Sequence, residues 1–510
     1  MKRRKGFAWL MDHRLRWIVG CVCLAVVFAG SLTAVYFLAS DEDDDGPFYE
    51  NLAVNVLEHG VYSASQKPPY KPTFVRMPGY PLFLAGMYAL WGRGNDWAVR
   101  VAQTLVHTGT VALLALLAWL WEPGPERRRW AALAAFGLAA VCPFLVIYAG
   151  CILTETLAMF LLVAMVVSAT LAWRWPGLAA GVWWALAGLL GGLGVLQRPD
   201  FGLFVAALGL TLLLGAVLRA WHPDRGARRA VLPSALAYGV VFSAAFALAV
   251  SPWMIRNALV FGQPHLLPPV DCNEPGEFSP QGYIAWFGTW ADDESELNSF
   301  FWTLGPDEPM DFADLPSRAF DNPDERRRVG QLFNAYNSHA APVMMTPAID
   351  LGFAQLARER NSRAPWRSRL WLPLRRGINL WFGTHAQYYP FEGNLFPVHQ
   401  QDDEPGYFAW RLVFTGLTAL YTILGMCGAW VLWRAGGTAW RWLCLLALMV
   451  ALRLALLVEL AHTEPRYVVE FFPFLCVLGG IAVARVAPSF RRGSLSSPGR
   501  GLTAPVFSRA

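Results

Sequence analysis

The sequence is poor in charge. Only 15% of its 510 residues are Asp, Glu, Lys or Arg, against about 25% in ordinary soluble domains. With 55% hydrophobic residues and a mean hydropathy of +0.34, this excludes a soluble globular chain and points to a membrane protein. It has no CxxC pair. Its eight cysteines are Cys21, Cys23, Cys142, Cys151, Cys272, Cys427, Cys444 and Cys476. Most lie in apolar runs, where Cys acts as a small hydrophobe, so neither a zinc site nor a disulfide framework is expected. Cys272 alone lies deep in a polar segment, with no evident partner. There is no internal repeat. A cleavable signal peptide is not expected either: the run Trp17–Leu38 is too long for an h-region and lacks a convincing cleavage site, so it reads as an uncleaved first span. No nucleic-acid partner is expected.

What the sequence has is apolar runs of spanning length. About ten helices are expected, at Trp17–Leu38, Trp97–Trp121, Trp130–Tyr148, Thr156–Trp173, Leu178–Leu196, Phe201–Arg219, Val231–Val250, Phe408–Trp433, Trp440–Leu460 and Val468–Val486. Trp and Tyr mark many of the ends, as interfacial belts require. Every second connection is basic: Lys2–Lys5 with Arg14 and Arg16, Arg127–Arg129, Arg174, Arg219 with Arg225, Arg228 and Arg229, Arg434 with Arg441, and Arg491–Arg492. By the positive-inside rule these face the cytoplasm, with both termini inside. The expected organisation is a cytoplasmic N-terminus (1–16), a transmembrane module (17–252) that includes an outer loop (39–96), an extracytoplasmic segment (253–407), the last spans (408–486) and a disordered Ser/Gly/Pro-rich cytoplasmic tail (487–510). Segment 253–407 shows little period, except for two amphipathic helices. Ala348–Arg360 is one. In the other, Trp366–Trp381, the residues Trp366, Leu370, Leu374 and Ile378 recur at helical spacing with Arg between them, which suits a helix lying on a membrane surface.

The polar motifs gather on the outer side of this topology: Asp43–Asp45, Arg76, Glu155, Arg198–Asp200, Trp253–Asn257 and His462–Tyr467. The first loop is the most pointed. It opens on the acidic run Asp41–Asp45, continues into a helical segment, Phe48–Leu57, with Tyr49, Ala53 and Val56 on one face, and closes on a Pro/Gly turn around Arg76. Carboxylates at a membrane surface are poor packing material, because desolvating them is costly unless they are used.

Four of these motifs resemble a known family. They are Asp45-Gly-Pro-Phe-Tyr49 opening a helix, Arg76-Met-Pro-Gly-Tyr-Pro81 closing the loop, Pro252-Trp-Met-Ile-Arg256-Asn257 after a span, and Glu464-Pro-Arg466-Tyr467 before the last span; Leu153-Thr-Glu155-Thr156 and Arg198-Pro199 fit the same plan. Together, from Asp45 to about Val486, they resemble the GT-C glycosyltransferases related to protein O-mannosyltransferases and lipid A aminoarabinose transferases, in particular the bacterial branch that uses polyprenyl-phosphate sugars. The resemblance implies an all-α polytopic GT-C fold. It also implies inverting transfer of a hexose or pentose from a polyprenyl-phosphate donor to an acceptor hydroxyl at the outer face of a bacterial inner membrane. Asp45, four residues before Tyr49, matches the catalytic base. The acidic run leaves Asp43 and Asp44 as alternatives. Guanidinium suits phosphate, and Arg198, Arg256 and Arg466 are the expected donor-phosphate ligands, with Glu155 and Arg76 orienting the first loop. Tyr49, His462, Glu464 and Tyr467 complete the candidates. The acceptor, whether protein, lipid A or another cell-envelope glycan, is open. No cofactor is expected, and a divalent metal stays open with no ligand set to hold it.

Plainer readings stand beside these. Glu155 suits a helix N-terminus on charge alone, the arginines suit head groups, and Trp253 and Tyr467 suit an aromatic belt. Arg453 and Glu459 lie inside a span, where charge faces a bundle interior or cavity, and His107 reads as a buried polar contact. The rival from another class is a transporter or lipid flippase, which would carry midplane polar groups, broken helices and inverted repeats. A polymer ligase with a diphosphate carrier is a third reading.

Overall fold

A computed structural model of the chain describes residues 2–38, 45–175, 177–220, 225–269, 278–292, 294–302, 304, 309–338, 345–383, 385, 388–389, 391, 395, 405–460 and 464–486. Among these the secondary structure is entirely helical. Nine helices are long and apolar enough to cross a membrane, and a bent pair supplies a tenth. The protein is a multi-pass membrane protein, and the ten expected spans are found in order.

The spans are α1 (Lys2–Leu38), α4 (Asp96–Trp121), the pair α5 (Arg128–Ala140) and α6 (Pro143–Val146), α7 (Glu155–Arg174), α8 (Leu178–Gln197), α9 (Gly202–Ala220), α10 (Arg225–Phe261), α16 (Pro405–Ala435), α17 (Trp440–Glu459) and α18 (Phe472–Val483). The connection between α1 and α4 holds α2 (Gly46–His59) and α3 (Gly79–Trp91). Close approach between spans rests on small residues, as in other membrane bundles. A Cβ on Gly188 of α8 would come within 2.1 Å of the Phe242 carbonyl oxygen on α10.

Several boundaries differ from expectation, each for a local reason. The third span, expected unbroken over Trp130–Tyr148, bends by 60° between its halves, because Pro143 cannot continue the hydrogen-bonding of α5 and instead opens α6. A 3₁₀ turn, Ile147–Ala149, then ends the span. The seventh span does not stop at Val250. It runs on through Pro252 to Phe261, so Trp253–Asn257 lies on the last turns of the helix. Pro252 has no N–H to give the Leu248 carbonyl, and the Ser251 hydroxyl donates to it instead at 3.1 Å. The last span enters through a 3₁₀ segment, Pro465–Phe471. The expected loop helix is found as α2, ended by Gly60 in the left-handed region (φ 65°). Helix α3, beyond the Pro/Gly turn, was not expected.

The segment between α10 and α16 builds a second apolar core around Tyr283, Trp286, Trp290, Phe333 and Phe353. Its helices are α11 (Gln281–Phe287), α12 (Glu294–Phe300), α13 (Pro323–Ser338), α14 (Pro347–Arg363) and α15 (Leu372–Phe382). Only α14 and α15 were legible as amphipathic segments. The expected stripe Trp366, Leu370, Leu374 and Ile378 is exposed along its whole length, as an interfacial helix requires. On the opposite side, buried Arg376 donates to the carbonyls of Gly288, Ala291 and Val458. This ties the second core to the end of α17.

Candidate active site

The first loop is built to present Asp45. This residue precedes α2, whose Tyr49, Leu52 and Ala53 are buried. The chain between α2 and α3 is then pinned from several sides. Asn55 donates to the carbonyls of Ser63 and Ser65 at 2.7 and 2.9 Å. The Tyr62 hydroxyl donates to the carbonyls of Met77 and Arg76. Gly79 must be a glycine: a Cβ there would sit 2.5 Å from the Leu196 carbonyl oxygen. The Pro/Gly turn therefore abuts the end of α8, two residues before Arg198.

This leaves Arg76 facing Asp45, with Nη2 3.1 Å from Oδ1. From the far end of the sequence, Arg466 meets the other carboxylate oxygen, with Nη2 3.0 Å from Oδ2. Asp45 is thus clasped between two guanidiniums while its side chain stays 24% exposed. Burial alone would raise its carboxyl, but Arg466 and Arg76 outweigh that and hold it below the usual carboxylate range. Burial pushes the Tyr49 phenol up, so it stays protonated. Arg466 also pairs with Glu464 (Nε to Oε2, 2.6 Å) and donates to the Tyr388 hydroxyl at 2.7 Å.

Behind Arg466 lies a deeper charged layer. Arg198, between α8 and α9, pairs with Glu155 at the start of α7, and lies 3.4 Å from Asp200 and 3.5 Å from Glu470. Arg453, fully buried on α17, holds Asp200 at 2.8 Å and Glu470 at 3.2 Å and donates to the Tyr467 carbonyl. Tyr467 touches both layers: Arg198 and Arg466 lie 5.2 and 5.5 Å from its ring centroid, within cation–π range. Six segments distant in sequence thus meet at one end of the bundle. At the opposite end a separate pair, Glu122 with Arg485, closes the bundle.

Of the residues picked out from the sequence, Asp45, Arg76, Glu155, Arg198, Glu464, Arg466, Tyr467 and Tyr49 fall in or beside this assembly. Arg256 does not join it. Its guanidinium donates to the carbonyls of Thr73 and Tyr62 and to the Asn257 side chain, and stacks on Trp253 at 5.0 Å. It braces the first loop from outside the charged layers. Asp43, Asp44 and His462 lie outside the described residues. Among the described residues no three His, Cys, Asp or Glu are grouped as metal ligands. His107 is buried, as expected, but among the described residues its Nε2 finds no partner.

Sequence reasoning missed Tyr388 and Glu470, placed Asp200 among the outer polar motifs without a role, and left Arg453 unassigned. Arg453 carried a signal, an arginine inside an apolar run, where a charge needs partners. Tyr388 carried none.

No family model matches the chain, and no curated protein matches it. Solved structures do. ArnT from Cupriavidus metallidurans in the apo state is similar at 16% identity, covering 93% of this chain and 78% of that one, with a TM-score of 0.35. The same protein bound to undecaprenyl phosphate gives 17%, 90%, 78% and 0.37. The archaeal oligosaccharyltransferase AglB from Archaeoglobus fulgidus, in complex with an inhibitory peptide and a dolichol-phosphate, gives 14% identity and a TM-score of 0.45 over 91% of this chain, which spans half of AglB's length. Both are GT-C fold enzymes, the class the sequence motifs resemble. At these scores the likeness assigns no activity and no residue roles to this chain.

Proposed function

We propose that the protein is a membrane glycosyltransferase that moves a sugar from a polyprenyl-phosphate carrier to an acceptor hydroxyl, with inversion, at the extracytoplasmic end of the bundle. The observation that carries this reading is the double clasp on Asp45. A carboxylate held by two arginines, yet open to solvent, has the parts an inverting transfer needs, and Arg466, which holds it, opens the segment leading into the last span.

The donor is a phosphodiester with one negative charge. Arg466, backed by Arg198 across the Tyr467 ring, takes that phosphate. A phosphate on Arg466 competes with Asp45 for the same guanidinium. Asp45 is then held by Arg76 alone, and its affinity for a proton rises. It accepts the proton of the acceptor hydroxyl as the oxygen attacks the anomeric carbon from the face opposite the phosphate. The bond from the anomeric carbon to the phosphate oxygen breaks. The polyprenyl phosphate leaves with the bonding electron pair, its growing charge met by Arg466. Glu155 sets the direction of Arg198. Arg256 acts only through the first loop. The rival transporter reading has less support, because the charged layers sit at one end of the bundle and the sequence shows no internal repeat.

The test is a transfer assay on purified protein in nanodiscs, with radiolabelled polyprenyl-phosphate sugars and envelope extract as acceptor. Asp45→Asn removes the base and keeps the shape. A rate lower by about 10²–10⁴-fold is expected, with donor binding retained. Full activity in Asp45→Asn would sink the assignment of the base. A wild type that consumes no lipid-phosphate sugar would sink the reading as a whole.

A further inference from the structure

The break in the third span delivers a side chain that nothing above uses. Past Ala140 the span bends by 60° at Pro143, and Tyr148 lies in the 3₁₀ turn that follows. The turn that follows is held by α4: Gln103 donates to the carbonyls of Ala149 and Cys151 at 3.1 and 2.7 Å, and Arg100 to that of Gly150 at 3.0 Å. Gln103 in turn accepts from the Tyr80 hydroxyl at 2.8 Å, so the first loop and this turn share one brace. Tyr148 ends fully buried, edge-on to Tyr388 with ring centroids 5.8 Å apart. It is within electrostatic reach of Glu155, Arg466 and Glu464.

Among the described residues its hydroxyl has no hydrogen-bond partner. Buried hydroxyls are almost always bonded, and leaving one unbonded is costly. The carboxylates nearby do not need it, since Glu155 is taken by Arg198 and Thr154, and Glu464 by Arg466. Tyr388 beside it accepts from Arg466. A phenolic O–H fixed beside Tyr388, whose hydroxyl accepts from Arg466, can donate to an anionic oxygen bound there.

We propose that Tyr148 is a donor-binding residue, its hydroxyl donating a hydrogen bond to the phosphate of the lipid-linked substrate beside Arg466. The inference rests on the proposed transferase reading and deepens it. It gives the bent span a purpose: the bend supplies a neutral donor to a phosphate site whose cations are already matched by carboxylates.

The experiment compares wild type and Tyr148→Phe in nanodiscs, reading undecaprenyl phosphate binding by native mass spectrometry and thermal unfolding of the unliganded protein. Phe keeps the ring and its contact with Tyr388. Loss of a hydrogen bond to a charged group is expected to weaken binding about 10-fold or more. The unliganded melting temperature should hold or rise, because an unsatisfied buried hydroxyl has been removed. Equal binding by both proteins overturns the inference and leaves the transferase reading standing. So does a lower melting temperature with unchanged affinity, which marks a structural hydroxyl. If wild type binds no undecaprenyl phosphate while remaining folded, the lipid-phosphate reading fails and this inference fails with it.

Discussion

Replacing Arg453 with Met should destabilise the protein through charge, and a second substitution should restore it. Arg453 and Arg198 face Glu155, Asp200 and Glu470, so two guanidiniums are set against three carboxylates for a formal charge of −1. Arg453 is fully buried, Glu155 and Glu470 are 2% exposed, and water screens little of this. Arg453→Met keeps most of the volume but leaves three carboxylates on one guanidinium, a charge of −2. Removing one partner of a buried ion pair costs about 3–5 kcal/mol. Per kcal/mol the shift in melting temperature shrinks with chain length, to about 1–2 °C when extrapolated to a chain of this size. The expected drop is therefore about 3–10 °C, read by tryptophan fluorescence in detergent. Adding Glu470→Gln returns the formal charge to −1 and should recover at least half of the loss, which a double-mutant cycle measures directly. Transfer activity should follow the same order, because Asp200 and Glu470 are otherwise free to neutralise Arg198. A single variant that melts with the wild type, or a double variant no better than the single, would refute the view that charge balance in the deeper layer holds Arg198 in place.

Two further outcomes follow from particular contacts. Arg256→Met should raise protease susceptibility between Val61 and Pro78, because it removes the donors to Thr73 and Tyr62, while donor-lipid affinity changes less than threefold; a loss of 10-fold or more would return Arg256 to the phosphate site. His385, buried with its ring nitrogens against the carbonyls of Pro465 and Trp381, is pushed down to about 4 by burial. The unfolded chain binds its proton first, so this residue's contribution is intact above about pH 6.5 and is lost as pH falls towards 4, on the order of 3 kcal/mol in all. His385→Asn suits the positive φ of 49° and should flatten the stability profile in that window; an unchanged profile would contradict a buried neutral imidazole.

The number and order of the spans were legible because a 20-residue apolar run has few alternatives in a bilayer, whatever its neighbours do. For the same reason the motifs near the span ends could be expected on one side: Asp45, Arg76, Glu155, Arg198 and Arg466 were picked out from local chemistry, the parity of the spans and the family resemblance. The sequence also predicted the surface stripe of Trp366, Leu370, Leu374 and Ile378, since helical periodicity is local.

Pairing was not local. Arg198, Arg256 and Arg466 look alike as arginines beside apolar runs, and only the packed bundle separates the two that flank Tyr467 from the one that braces Thr73 and Tyr62. The partner of Asp45 lies more than four hundred positions away at Arg466. No spacing rule reaches that far, because each span can rotate and slide until side chains on its neighbours fix it. Tyr148 and Arg453 depended on the same thing. A bend at Pro143 and a fully buried guanidinium acquire meaning only from what the other helices place opposite them. Composition and hydropathy determined that this chain is a multi-pass helical bundle with polar motifs at its span ends; tertiary packing decided which charges meet, because ion pairs and hydrogen bonds are set over a few ångströms that sequence distance does not measure.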